Sequence, residues 1–143
     1  MRRYVIDASV AIKWFVPEIH SDAALRVRQG GSQLHVPAFM ILELGNVIAK
    51  KIRRGELTAK DGEVVLKELQ HLPLQRHADE RLFTAAYRLA LDTQSSLYDC
   101  LYLAVAEAVD GVMITADRKF VTALSGGPYG RRVMWVEDLP SVP

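Results

Sequence analysis

Residues 96–120 read SLYDCLYLAVAEAVDGVMITADRKF. From Ser96 to Asp110 this is the most apolar helix-like run in the chain, and a helix that apolar is buried on most of its sides. Gly111 breaks the run, Val112-Met113-Ile114-Thr115 follows as a short apolar β run, and Asp117 to Ser125 reads as a further short helix. A buried helix feeding an apolar strand, followed by another helix, is the repeating unit of a parallel sheet covered on both faces.

The same alternation extends outward in both directions. Tyr4-Val5-Ile6, Leu34-His35-Val36, Leu74-Gln75-Arg76 and Val133 to Val136 are the other strand-like runs. Helices are expected over Ala8–Phe15, Ser21–Arg28, Ala38–Arg54, Thr58–Leu72 and Asp79–Thr93. Pro37 reads as the first residue of the third of these, where its missing N–H costs nothing, and Gly55 as its end. Thr58 with Asp61 three residues on is a capping-box pattern. The fold class expected is α/β, a doubly wound three-layer α/β/α sandwich, in one domain over residues 1–143. Ligands in such folds sit beyond the carboxyl ends of the strands.

The composition narrows the function. Half of the 143 residues are apolar and the formal charge is +1, which excludes a disordered chain and a generic polycation. Cys100 is the single cysteine, so no intramolecular disulfide or CxxC metal site exists, and a reducing compartment suits the chain. The four histidines lack zinc-site spacing. The N-terminal run is basic and then apolar, but Asp7 and Lys13 interrupt it and no small-residue cleavage site follows. No window reaches the ~18 uninterrupted apolar residues of a membrane span. The expectation is a soluble cytoplasmic protein.

Four acids occupy unusual places. Asp7 follows the first strand, Asp117 lies two residues past Thr115, and Glu43 and Asp99 lie inside apolar helices. Asp7 and Asp117 each read equally as a helix N-cap, and Ser96 with Asp99 as a capping box. Glu43 reads about two turns into its helix, too deep for a cap, among Ile41, Leu42, Leu44, Val47 and Ile48. A carboxylate there needs a partner or a metal ion. Four carboxylates in one crevice repel one another, and a hard divalent cation, Mg²⁺ or Mn²⁺, removes the repulsion. Such ions activate a water for attack on a phosphodiester, so the set points to metal-dependent hydrolysis. Asn46, three positions after Glu43, could orient a ligand or form an ordinary helix hydrogen bond. Ser9 and Thr115 could support Asp7 and Asp117 or serve in turns.

At these residues the sequence resembles the PIN-domain ribonucleases, and among them the VapC-type toxins of toxin–antitoxin pairs. The matching stretches are VIDASVAIKWFVPE at 5–18, VPAFMILELGNVIAKKIRRG at 36–55, residues 96–120 quoted above, and VMWVEDL at 133–139. The resemblance implies a PIN-like sheet of about five parallel strands, and a catalytic, metal-holding set of Asp7, Glu43, Asp99 and Asp117 supported by Ser9, Asn46 and Thr115. It also implies Mg²⁺ or Mn²⁺ dependence, an RNA substrate, a homodimer, and inhibition by a small VapB-type antitoxin.

Basic residues offer RNA contacts. Lys50, Lys51, Arg53 and Arg54 close the Glu43 helix, where they serve equally as cations on the negative end of its dipole. Arg118 and Lys119 follow Asp117 directly, and Arg131 with Arg132 forms a third patch. Trp14 and Phe15 read as base-stacking groups or as core, and Tyr98 with Tyr102 as core or dimer contacts. A phospho-signalling domain would need a second acid beside Asp7, and a dehalogenase-like phosphatase D-x-D where this chain has D-x-S. A non-catalytic binding module with a structural cation is the remaining alternative. With the four acids set aside, 13 acidic residues face 18 basic ones, so near-neutrality conceals an acidic pocket in a moderately basic surface.

Overall fold

The structure is a computed structural model that describes residues 2–140; the single-domain range 1–143 runs past these at both ends. The central strand β1 (Arg3–Ile6) pairs in parallel with β2 (Gln33–Pro37) on one side and β4 (Val112–Thr115) on the other. β3 (Gln75–His77) extends the sheet beyond β2, and β5 (Val133–Trp135) beyond β4, giving the order β3-β2-β1-β4-β5. Strands inside a sheet covered on both faces must be apolar throughout, and Val5, Ile6, Met113 and Ile114 are fully or almost fully buried. β3 lies on an edge and is polar.

Seven α-helices among the described residues cover the sheet: α1 (Ala8–Ala11), α2 (Ser21–Gln29), α3 (Met40–Arg53), α4 (Ala59–His71), α5 (Asp79–Thr93), α6 (Leu97–Val109) and α7 (Arg118–Leu124). The expected three-layer α/β/α sandwich is what forms. α6 buries every residue from Cys100 to Ala106 against β1, β2, β4 and α5, as its composition requires. The Thr58–Asp61 capping box opens α4 with both reciprocal bonds made. No helix among the described residues is long and apolar enough to cross a membrane.

The start of α3 differs from the sequence expectation. Pro37 does not open the helix; it ends β2, in register with His77, and needs no N–H there. The Ala38 amide donates to His77 O at 2.8 Å, and the Phe39 amide to Asp79 Oδ1 at 3.0 Å. These bonds hold the chain out of the helix until Met40. Glu43 therefore lies in the first turn of α3, one turn earlier than its apolar neighbours suggest. The Ala8 helix also shortens, passing into a 3₁₀ turn at Ile12–Trp14, and β3 starts one residue later than expected.

α6 hands over to β4 through a tight turn. Asp110 takes a left-handed conformation (φ 54°), and the Gly111 amide donates to Ala106 O at 2.8 Å. A Cβ on Gly111 would meet Arg3 O at 2.5 Å, a backbone atom of the central strand. Gly111→Ala should therefore destabilise the fold by about 1–3 kcal/mol, the range for overpacking, as read from denaturant midpoints. An unchanged midpoint would contradict this close approach.

Candidate active site

The chain leaves β1 for β2 in one direction, while β4 and β5 lie on the other side, so the sheet switches direction between β1 and β4. The carboxyl ends of these two strands flank a crevice, the usual ligand position in an open α/β sheet. Asp7 follows β1 and is 6% exposed. Its amide donates to Ile114 O at 3.1 Å, which ties it to β4.

Asp7 is the N-cap residue of α1 by position, but its carboxylate makes no cap bond. Instead Oδ2 accepts from Ser9 Oγ at 2.7 Å and from Thr115 Oγ1 at 2.8 Å. Both hydroxyls are themselves held by backbone amides: Ala116 N–H donates to Ser9 Oγ and Asp117 N–H to Thr115 Oγ1, each at 3.1 Å. The two turns beyond β1 and β4 are thus joined through one carboxylate oxygen. Ser9 and Thr115 hold Asp7 rather than each serving its own acid.

Glu43 reaches the crevice from the first turn of α3. Its Oε1 accepts a 2.6 Å hydrogen bond from the Tyr102 hydroxyl, and Tyr102 is wholly buried on α6. Asp99 lies three residues before Tyr102, on the same helical face. From sequence Tyr102 reads as core or a dimer contact; its hydroxyl links it to the acids. The signal was a phenol in an aliphatic helix one turn from an acid, since a buried Tyr hydroxyl needs a partner. Tyr98 is exposed and stacks on Phe39, with ring centroids 4.9 Å apart.

Asp117 is exposed at the rim and caps α7, its Oδ1 accepting from Phe120 N–H at 3.2 Å. Asp99 receives half a capping box, its amide donating to Ser96 Oγ at 3.1 Å. For these two acids the cap and the crevice are compatible uses of one residue.

The acids feel one another. Burial raises the Asp7 carboxyl to about 6 against the opposing Ser9 and Thr115 bonds, and the Glu43 and Asp99 charges add to the rise. Burial raises Glu43 as well, opposed by Tyr102 and reinforced by Asp99. Asp99 is raised by burial, with the Asp117 charge adding. The same burial, with the Asp7 and Glu43 charges, pushes the Tyr102 hydroxyl far up, so it remains a donor.

Among the described residues no three His, Cys, Asp or Glu side chains converge closely enough to cage a metal ion. The donor set still fits a small hard cation: all the groups are carboxylate oxygens, their charges are coupled, and Mg²⁺ takes one or two protein carboxylates while retaining several waters.

The other sequence candidates divide. Asn46 is exposed. Lys51 bonds Glu18 at 3.2 Å and lies 3.8 Å from Glu56, so its charge is already paired, while Lys50, Arg53 and Arg54 are exposed. Glu18 also binds the buried Lys13 at 2.8 Å. Arg118 and Lys119 are exposed beside Asp117. Arg132 pairs with Asp110 at 2.8 Å. Trp14 is core, its Nε1 donating to Ala24 O at 2.8 Å. Cys100 is buried, and burial raises its thiol further from the reactive thiolate.

Fold and crevice define a parallel α/β domain with an acidic, oxygen-rich site at its switch point. The PIN domain family matches residues 4–123, and the chain belongs to that family. Among its relatives is "Ribonuclease VapC3" of Pyrobaculum aerophilum, 32% identical over 82% of this chain and 91% of that protein. Another "Ribonuclease VapC3", from Mycobacterium tuberculosis, is 29% identical over 83% of this chain and 85% of its own length. A crystal structure from P. aerophilum matches with a TM-score of 0.69 at 24% identity, covering 95% of this chain and 85% of that one. VapBC2 from Rickettsia felis, bound to a promoter DNA fragment, matches at 0.64 and 15% identity over 93% and 98% of the two chains. At these identities the structural matches establish the fold.

The raised Asp7 carboxyl carries a sign. Between its ordinary value of 3.8 and about 6 the folded state binds more protons than the unfolded state, so stability falls as pH rises through this window and then levels off. Asp7→Asn removes the penalty. In metal-free buffer it should exceed the wild type at pH 8 by about 3 kcal/mol, with the gain vanishing below pH 4. Denaturant melts across pH check this, and a variant less stable than wild type at pH 8 would refute it.

Proposed function

We propose that this protein is a metal-dependent endoribonuclease and the toxin of a type II toxin–antitoxin pair, built as one domain over residues 1–143. The observation that carries the reading is the Asp7 carboxylate, buried at the sheet's switch point, held by two hydroxyls and coupled to Glu43 and Asp99. The relatives named as ribonucleases support the substrate class.

Asp7, Glu43, Asp99 and Asp117 would hold Mg²⁺ or Mn²⁺ between them, one or two directly and the others through the ion's waters. When bound, such an ion supplies positive charge against the phosphodiester and a more acidic water. The chain's own residues do the rest. Ser9 and Thr115 fix Asp7 so that its Oδ1 accepts no bond from the described residues. Tyr102 fixes Glu43. Asn46 lies one helical turn beyond Glu43 and would orient bound water or substrate. Arg118, Lys119, Lys50, Arg53 and Arg54 would contact RNA phosphates, with Lys51 tied into its ion pairs.

Purified protein free of antitoxin should cleave RNA with Mg²⁺ or Mn²⁺ and stop in chelator. Asp7→Asn and Glu43→Gln should each lose about 100-fold or more in kcat/KM while remaining folded. Absence of cleavage of any RNA by wild type, or undiminished cleavage by Asp7→Asn, would overturn the reading.

The working environment is the cytoplasm, and the inhibitor is a small VapB-type antitoxin; relatives of the same fold are known from toxin–antitoxin complexes. The protein acts as a homodimer. A surface suited to the second copy lies on α5, where Phe83, Tyr87 and Leu91 recur every four residues and are 53%, 52% and 63% exposed. Light scattering should give the dimer mass for wild type and the monomer mass for Phe83→Glu combined with Leu91→Glu. A dimer that survives both changes would place the interface elsewhere.

A further inference from the structure

At the carboxyl end of β5, next to β4, lies a cluster that the acids do not use. Trp135 ends β5 and is the register partner of Thr115, whose hydroxyl holds Asp7. Two other segments converge on its indole. Arg118, the residue after Asp117, places its guanidinium carbon 4.5 Å from the ring centroid. His20 meets the ring edge-on, 5.5 Å between centroids at 76°. His20 is itself anchored, its Nδ1 lying 2.6 Å from Glu137 Oε2, in a left-handed conformation (φ 68°) uncommon for a residue with a side chain.

Arg118 is exposed and makes no hydrogen bond or ion pair among the described residues, although Asp117 is its chain neighbour. The guanidinium lies over the indole ring, and none of its N–H groups has a protein partner among the described residues. An arginine held against an aromatic ring, with its donors unpaired, suits bidentate capture of a phosphate. Arg118 and Lys119 also flank a shallow, open and mainly apolar stretch of surface with Thr122 and Ala123.

We propose that Trp135 is a positioning residue that holds Arg118 as a preformed clamp for a backbone phosphate of single-stranded RNA beside the acids. The proposal rests on the ribonuclease reading and names one of its substrate-positioning contacts. The ring makes no contact with the phosphate in this arrangement; it acts through Arg118.

The test is binding of a fluorescein-labelled single-stranded oligoribonucleotide in chelator, over a potassium chloride series. Arg118→Gln should weaken binding about 10-fold and reduce the slope of log K against log salt by about one. Trp135→Leu should reproduce most of both effects although the Arg118 charge remains. Adding Arg118→Gln to Trp135→Leu should then cost less than about twofold, the coupling of a shared contact. Trp135→Phe, which keeps a π face, should bind within about threefold of wild type. A wild-type salt slope in folded Trp135→Leu, or fully additive losses in the double variant, overturns the clamp. Circular dichroism checks folding, and Arg118→Gln at an exposed position is an independent arm: an unchanged slope there overturns the proposal even if Trp135→Leu does not fold. No RNA binding by wild type also overturns it. The series needs no cleavage, so a protein that binds as described but cuts no RNA would sink the ribonuclease reading alone.

Discussion

One carboxylate oxygen, Asp7 Oδ2, takes hydrogen bonds from two hydroxyls that the chain brings from opposite ends, Ser9 and Thr115. Everything around the crevice is arranged about that junction. The hydroxyls are pinned by the amides of Ala116 and Asp117, so the turns beyond β1 and β4 cannot shift independently. A hydrogen bond to a charged group contributes about 1.5–3 kcal/mol. Two of them still leave the carboxyl raised, so burial outweighs them. The site is therefore held in a state that favours a proton or a cation on Asp7.

The other acids step outward from this centre. Glu43 and Asp99 are half-buried and Asp117 is exposed at the rim. Their charges reach one another in a chain, Glu43 and Asp99 acting on Asp7 and Asp117 acting on Asp99. Solvent screens the outer members most, so the repulsion is concentrated at the inner end. Tyr102 acts on that inner end, giving Glu43 a short hydrogen bond from a residue with no exposure. The α6 helix thus serves the core with its aliphatic residues and the crevice with Asp99 and Tyr102.

Much of this was legible in the residues. The apolar strands and the unbroken apolar helix announced a parallel sheet covered on both faces. The four acids stood out because each broke an apolar context or ended a strand. What was not legible depended on contacts distant in sequence. Pro37 looked like a helix start because its pairing with His77 and the Asp79 bond to the Phe39 amide are tertiary facts. The depth of Glu43 was misjudged for the same reason. Tyr102 reads from sequence as core or a dimer contact because its partner lies 59 residues away. Lys51 looked like a free phosphate contact until Glu18, from the segment before α2, claimed it.

The separation of Asp7 from Thr115 has a consequence for the order of assembly. The bond between them spans 108 residues, and β4 must dock on β1 before the carboxylate has both hydroxyls. Contacts that distant form late, because loop closure precedes any reward from them. During synthesis the nascent chain carries Asp7 and Glu43 long before Asp99, Tyr102 or Asp117 has emerged. A truncated product, or a chain still on the ribosome, thus holds acids without a site. The acidic centre comes into being only after β4 has docked on β1, so its formation is itself a record that the middle of the sheet has assembled.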